Sequence, residues 1–256
     1  MITLVLWILV EIAIREYLFD ATLPIINYIR SNLATKHSDL LFRIISELGD
    51  KPFVAVLIIL AYMMMDVPKG FCQALLSFTS LVTITILKTM IHEARPFMTH
   101  TVSPAICPLE YGNPSGHSMI SSSVFFTFCE LGCRHMGWIG SNEILKRRIF
   151  QFLTAIGVLV VSFSRIWLGV HTLNQILNGW VWGFSLQLLF TDILYYEICR
   201  FVHSIYKRSP GRLVYNFGTR NYVFIFFLGS AIFYFSFILH PTPKEWVNKL
   251  NENCGT

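Results

Sequence analysis

Long apolar stretches recur along the 256-residue sequence and leave only short polar segments between them. Hydrophobic residues make up 54% of the chain and charged residues only 14%, a balance too apolar for an ordinary soluble domain. About 20 apolar residues cross a bilayer as a helix, because every backbone polar group must be paired within the segment. The pattern therefore predicts an all-α, polytopic transmembrane helical bundle.

Seven candidate spans can be placed along the chain. They cover residues 2–18, 53–65, 71–90, 118–133, 149–163, 172–194 and 222–239. The second and fifth are short, and the first carries Glu11 and Arg15, so six spans plus an interfacial helix is the alternative to seven. Glu11 and Arg15 are spaced i,i+4 and can neutralise each other on one helix face. No linker or repeat divides the chain, so we expect one integral-membrane domain over residues 1–256.

The positive charges outside these spans predict the orientation of the bundle. If all seven spans cross, one side collects the basic residues Arg134, Lys146, Arg147, Arg148, Arg200, Lys207, Arg208, Arg212 and Arg220. The positive-inside rule makes that side cytosolic. The loop at 91–117 and the junction at 164–171 then share the opposite, lumenal or extracellular side. The loop at 20–51 lies there too, and its own basic residues oppose the assignment.

The six cysteines follow no spacing typical of a metal site or a disulfide framework. We expect most of them to be small core residues. Cys107 and Cys254 both fall on the predicted lumenal side, which is oxidising. A disulfide between these two residues is therefore predicted.

Three polar clusters meet the ends of apolar segments on the predicted lumenal side. They are KTMIHEARPF, with Lys88 and Arg95; NPSGHS, with His117; and SRIWLGVHTLNQ, with Arg165 and His171. Taken singly, each cation could be a snorkelling anchor and each histidine a helix cap. That structural interpretation does not explain why three cations and two histidines should gather at one membrane surface.

A phosphate ester as ligand accounts for this set. Its roughly two or more negative charges can be neutralised by one lysine and two arginines, and the planar arginine forks match phosphate oxygens. Two histidines can divide the roles of nucleophile and acid, since neutral and protonated imidazole are both accessible near neutral pH. Ser115 and Gly116 precede a helix and would add backbone N–H groups and the positive end of the helix dipole.

These motifs resemble the signature of the type 2 phosphatidic acid phosphatase (PAP2) superfamily. That signature is Lys, six residues, Arg-Pro; then Pro-Ser-Gly-His; then Ser-Arg, five residues, His, three residues and usually Asp. Every position matches except the last, where this chain has Gln175. Upstream, FDATLPIINYIR and ISELGDKPF resemble eukaryotic lipid phosphatases of the superfamily. The resemblance implies the superfamily's six-helix core, and the hydropathy opposes its soluble haloperoxidase branch.

The resemblance also implies a role for each motif residue. His171 would attack phosphorus to give a phosphohistidine, and His117 would protonate the leaving oxygen and then activate water. The phosphoryl oxygens would be held by Lys88, Arg95, Arg165 and Ser115, with the backbone of Gly116. No metal or other cofactor is implied, because the cations supply the charge stabilisation.

Gln175 lies one helical turn after His171 and can accept a hydrogen bond from its ring. An aspartate there would also supply negative charge, which glutamine cannot. Glucose-6-phosphatases and dolichyl-diphosphate phosphatases also carry glutamine at this place, and HTLNQ resembles the latter. Glu93 or Glu110 could provide the missing carboxylate, and the sequence does not decide between them. The loop histidines at 92 and 100 are interpreted as solvated.

The sequence thus predicts an integral-membrane phosphatase acting on a lipid phosphate or polyprenyl diphosphate, with membrane lipid as its partner and no nucleic acid. A soluble sugar phosphate stays open within the same chemistry. The alternative is a non-catalytic relative serving as a structural or lipid-binding subunit of a membrane complex, which Gln175 favours. The sequence names no protein partner. The resemblance favours the endoplasmic reticulum with a lumenal site, and a bacterial inner membrane with a periplasmic site fits the same charge pattern.

Overall fold

The computed structural model describes residues 2–138, 143–206 and 241–255, together with the isolated positions 227, 229–231, 234 and 238. The described chain is mostly helical and contains no strand, which confirms the all-α prediction. The helices are α1 (Ile2–Tyr28), α2 (Lys36–Glu47), α3 (Lys51–Met64), α4 (Val67–Ile91), α5 (Pro96–Thr99), α6 (Gly116–Ile120), α7 (Phe126–His135), α8 (Ile144–Trp167), α9 (Leu173–Leu188), α10 (Tyr195–Tyr206) and α11 (Lys244–Cys254).

Local sequence signals set several helix starts around the site. Asp50 and Asp66 precede α3 and α4, and each carboxylate accepts a backbone N–H of the first turn. A proline follows in the first turn of both helices, where its missing N–H costs nothing. α9 begins with a capping box formed by Thr172 and Gln175.

Two helical stretches among the described residues are long and apolar enough to cross a membrane, Val67–Thr99 and Ile144–Trp167. Large apolar side chains cover the outer face of α8, as expected of a helix that faces lipid: Ile149, Phe152, Leu153, Ile156, Leu159, Val160 and Phe163. The predicted number of six to seven spans stays a prediction. The span at 222–239 lies largely outside the described residues, as do the basic positions from 207 to 220.

The centre of the bundle is one continuous helical segment made of α6, a π-helical turn at Ser121–Phe125 and α7. Four serines between positions 118 and 123 are buried there, and their hydroxyls bond mainly to backbone carbonyls of the same segment. Gly179 and Gly183 of α9 pack against this serine row. Small residues let two helices approach closely. The close packing of α6 and α9 brings His117 and His171, at their N-terminal ends, to the same region.

The described basic residues predicted to be cytosolic lie near the opposite end of α8 from Arg165. Arg134 and Arg147 both pair with Glu130, at 3.0 and 2.9 Å. The stretch of α8 from Arg147 to Arg165 is about 27 Å long at about 1.5 Å per residue, close to the thickness of a bilayer core. This separation agrees with the predicted orientation.

The predicted disulfide between Cys107 and Cys254 is confirmed, with their Cα atoms 6.2 Å apart. It ties the loop before α6 to α11. Asn253 strengthens this contact by donating to the carbonyl oxygens of Phe97 and His100, at 2.7 and 2.8 Å. The free cysteines are mostly buried, as predicted.

Replacing Cys107 with serine should lower the free energy of unfolding by about 2–4 kcal/mol, because the crosslink closes a long loop in the unfolded chain. Denaturant unfolding in detergent without reductant measures this loss, and the mobility shift on a non-reducing gel should disappear. The double change Cys107→Ser/Cys254→Ser should cost no more than the single one. Cys199→Ser removes a thiol that is free, so it is the matched control. An equal loss of stability in that control would contradict the prediction.

Candidate active site

The three sequence clusters meet at one cavity of about 1140 Å³. Most of the predicted site residues line it, namely Lys88, Arg95, Gly116, His117, Arg165 and His171. Ser115 and Gln175 are fully buried and are not part of its lining. The fold therefore brings both histidines and all three cations together, as the sequence predicts.

A sharp turn after α4 places Lys88 and Arg95 at the same cavity. Lys88 lies in the last turn of α4, and His92 ends that helix in the left-handed region with φ of 50°. After the turn, Arg95 Nε donates to the carbonyl oxygen of Glu110 at 2.6 Å. Arg95 Nη1 donates to the carbonyl oxygen of Val170 at 3.1 Å. These two bonds to two different loops fix the guanidinium in place.

Gly169 reverses the chain between α8 and α9, so that residues on both sides of it reach the cavity. Its φ of 74° lies in the region that favours glycine. Arg165, before the turn, donates from Nη1 to Ser46 Oγ. Its Nε is buried without a hydrogen-bond partner in the described part of the chain. A buried donor of this kind is suited to an anionic ligand.

His117 lies in the first turn of α6, next to the loop that joins α2 to α3. Gly49 of that loop packs against it so closely that a Cβ at position 49 would stand 3.1 Å from His117 Cβ. Ser115 precedes the helix, and its backbone N–H donates to the carbonyl oxygen of Gln175 at 2.9 Å. This bond couples the start of α6 to the start of α9.

His171, in the loop before α9, has a defined partner at each ring nitrogen. Its Nε2 is 2.9 Å from Arg95 Nη1, and its Nδ1 is 2.9 Å from Gln175 Oε1. Burial, followed by the charge of Arg95, lowers the pKa of His171 well below its ordinary value. The ring is therefore neutral at pH 7, a form in which one nitrogen keeps a lone pair.

The two carboxylates left open by the sequence occupy different positions. Glu110 lines the cavity and pairs with Lys88, whose charge holds the pKa of Glu110 below its usual range. Glu93 lies on the other side of Gln175 from His171, and Gln175 Nε2 donates to Glu93 Oε1 at 2.8 Å. Glu93, rather than Glu110, is therefore the carboxylate next to Gln175.

Two parts of the site were not predicted from the sequence. The first is the end of α2 with Ser46, together with the loop to α3, for which the resemblance of ISELGDKPF was the only signal. The second is a polar network that joins Glu93 to Asn113 at 2.7 Å and to Arg15 of α1 at 3.4 Å. The pair of Glu11 and Arg15 predicted on α1 does form, at 2.5 Å, and it belongs to this network.

Comparison with known proteins points to one family. A model of the PAP2 superfamily matches residues 69–199, which include all three clusters. Phosphatidylglycerophosphatase B of Bacillus subtilis (strain 168) is 28% identical over 149 residues, 57% of this chain and 68% of that protein. The crystal structure of a transmembrane PAP2 type phosphatidylglycerolphosphate phosphatase from Bacillus subtilis matches with a TM-score of 0.62 and 20% identity. The match covers 74% of this chain and 92% of that one, and at this identity it shows the fold alone.

Proposed function

The chain belongs to the PAP2 superfamily and is a phosphatase, and from this premise we propose that it hydrolyses a lipid phosphate or polyprenyl diphosphate in a membrane through a phosphohistidine on His171. The observation that carries the proposal is the cavity. Its lining includes the two histidines and the three motif cations, and also apolar side chains of α4. This combination suits a ligand with an anionic phosphate and an apolar chain.

In the proposed reaction His171 Nε2 attacks phosphorus, the bond to the leaving oxygen breaks, and His117 protonates that oxygen. His117 then takes a proton from water, the resulting hydroxide attacks the phosphohistidine, and inorganic phosphate leaves. Both histidines are thereby restored. Gln175, which favoured the non-catalytic alternative, bonds to His171 and orients it. Among the described residues we find no observation that favours that alternative.

The cations are proposed to stabilise the negative charge of the phosphoryl group. They are held in place before the reaction, so no reorganisation is needed when charge develops. A Cβ at Gly116 would stand 4.0 Å from Lys88 Nζ, in space that the phosphoryl group would use. The proposed phosphate-binding residues of the lining are Lys88, Arg95, Arg165 and Gly116. Ser115, which precedes Gly116 and is buried outside the lining, is proposed with them from the family motif. Because their charge can replace that of a metal ion, we expect hydrolysis to proceed without one.

The cavity wall supports a substrate with a long apolar chain. One face of α4 lines the cavity, with side chains at helical spacing: Phe78, Leu81, Val82, Thr85 and Ile86. The distance along α4 from Lys88 back to Phe78 is about 15 Å, into the apolar span. A lipid with its phosphate at the cations can therefore lay its chain along α4. A glycerolipid phosphate fits this arrangement. The Bacillus relative is named as a phosphatidylglycerophosphatase, which agrees with such a substrate.

We propose that the site faces an oxidising compartment, the lumen of the endoplasmic reticulum. The disulfide joins Cys107, in the loop that also carries Glu110, to Cys254 at the end of α11, and it supports an oxidising side. The bacterial relatives give the alternative, an inner membrane with a periplasmic site. A cysteine-accessibility assay in sealed microsomes, with a single reporter cysteine beside Glu110, distinguishes a lumenal from a cytosolic site.

Phosphate release by detergent-purified protein in EDTA tests the proposed function. The panel is phosphatidylglycerol phosphate, phosphatidic acid, sphingosine phosphate, dolichyl diphosphate and glucose 6-phosphate. We expect release from lipid substrates at higher kcat/KM than from glucose 6-phosphate. Cleavage of glucose 6-phosphate alone would contradict the lipid assignment, and loss of release in EDTA would contradict metal-independent hydrolysis.

Glu110→Gln should tighten the binding of inorganic phosphate by about twofold to fivefold, because the Glu110 carboxylate competes with phosphate for Lys88. The effect is modest since the Glu110 side chain is 68% exposed. The lowered pKa keeps Glu110 charged at pH 7, and the pair with Lys88 is lost only as the pH falls through that value. Product inhibition at pH 7 measures the change. Glu197→Gln, at a carboxylate that pairs with Arg200 outside the cavity lining, is the control and should change binding little.

A further inference from the structure

We propose that Glu93 is a positioning residue for the nucleophile. Acting through Gln175, it fixes the tautomer of His171 and supplies the negative charge that an aspartate at position 175 would otherwise provide. This inference rests on the proposed function, since it assigns His171 the attacking role. Glu93 and Gln175 together would then do what a single aspartate at position 175 does in the family pattern.

The hydrogen bonds of Gln175 determine which way its amide points. Gln175 Nε2 is 2.8 Å from Glu93 Oε1 and 2.9 Å from the carbonyl oxygen of Ala94. Both of these atoms are acceptors, so the NH₂ group of the amide must face them. The reverse orientation would place an amide oxygen against two other oxygens. Gln175 Oε1 therefore faces His171 Nδ1.

The amide orientation in turn assigns the proton on His171. An amide oxygen can only accept, so the bond of 2.9 Å to His171 Nδ1 requires the hydrogen on Nδ1. Nε2 then carries the lone pair. The partner of Nε2 agrees, because Arg95 Nη1, 2.9 Å away, can only donate. The nitrogen that faces the cations is thus the one able to attack phosphorus.

Glu93 is held by donors on both of its oxygens. Oε1 accepts from Asn174 and Gln175, each at 2.8 Å. Oε2 accepts from Asn113 at 2.7 Å and lies 3.4 Å from Arg15 Nε. Its negative charge polarises the amide of Gln175 and so stabilises the positive ring of a phosphohistidine.

An amide at position 93 would break this arrangement in a defined way. Glutamine can accept at only one end, and the cation of Arg15 should hold that oxygen on its side. The new NH₂ group would then face the NH₂ group of Gln175. The amide of Gln175 should turn over to relieve this contact, and it would give up its bond to the carbonyl oxygen of Ala94. His171 Nδ1 would now meet a donor, and the ring should change to the tautomer with hydrogen on Nε2. That tautomer has no lone pair facing the cations.

Nitrogen-15 NMR of histidine-labelled full-length protein in detergent, at one pH, reads the tautomer directly. The His171 signals are those lost in His171→Asn. We expect hydrogen on Nδ1 in the wild type and on Nε2 in Glu93→Gln. In parallel, Glu93→Gln should lower kcat roughly 10- to 100-fold with little change in KM, as loss of a supporting carboxylate does elsewhere. Glu93→Asp keeps the charge and should recover part of kcat.

Glu16→Gln is the matched control. Glu16 is an exposed carboxylate of α1 next to Arg15, and its charge acts on Arg15 from outside the polar network of Glu93. This variant should keep the tautomer and kcat of the wild type. An unchanged tautomer in Glu93→Gln, or equal losses of kcat in both variants, would overturn the proposal. If wild-type protein cleaves no substrate while its tautomer still follows Glu93, the positioning role stands and the proposed function fails.

Discussion

Replacing His171 with asparagine should lower phosphate release by at least about 10³-fold, because loss of a nucleophile removes the covalent route altogether. Asparagine is smaller, and its amide can still bond to Gln175, so the fold should survive. Two measurements check this expectation, phosphate release and the acid-labile label left on the protein by a radioactive lipid phosphate after rapid quenching. The wild type should be labelled and the variant should not.

His100→Asn is the control for this change. His100 lies outside the cavity lining, with its ring 2.9 Å from Thr99 Oγ1 and against Phe19. Phosphate release by the His100→Asn variant should stay within about twofold of the wild type, as for most surface changes. Near-normal release by His171→Asn, from protein with an unchanged unfolding temperature, would rule out the phosphohistidine. Activity lost equally in both variants would point to a general defect instead.

The residues of the site could be predicted because each lies where an apolar segment ends. Lys88 lies in the last turn of α4 and Arg165 in the last turn of α8, and His117 and His171 lie at the starts of α6 and α9. Charge at the ends of spans is visible in a sequence, and the alternation of sides then places these residues on one surface. The disulfide followed from the same alternation.

The partners of these residues could not be predicted in the same way. Whether Glu93 or Glu110 meets Gln175 depends on the turn after α4, and that turn requires a left-handed backbone at His92. Histidine does not signal such a conformation, as glycine would. The bond between Glu93 and Arg15 joins two distant parts of the chain through tertiary packing, which no spacing rule describes. The number of membrane spans could not be predicted either, because α3 has only 14 residues and α1 carries several charges.

Arg165→Met should lower kcat/KM for a lipid phosphate by about 10²- to 10³-fold, the usual cost of removing one preorganised donor to a developing oxyanion. Arg165 is 2% exposed, its Nη1 donates to Ser46, and its Nε has no hydrogen-bond partner in the described ranges. It therefore has donor capacity that the described protein does not use. Methionine nearly fills the same space without the charge, so the variant isolates the electrostatic contribution.

Stability separates this role from a structural one. A buried cation costs desolvation energy, and its replacement by an apolar side chain is often neutral or stabilising. Arg165→Met should therefore unfold at the same temperature as the wild type or higher, while its activity falls. Arg43→Met, at an exposed arginine of the same cavity that donates to the carbonyl oxygen of Ala105, should leave kcat nearly unchanged. A fall of activity and stability together in Arg165→Met would instead assign Arg165 to holding the end of α2, with Ser46, in place.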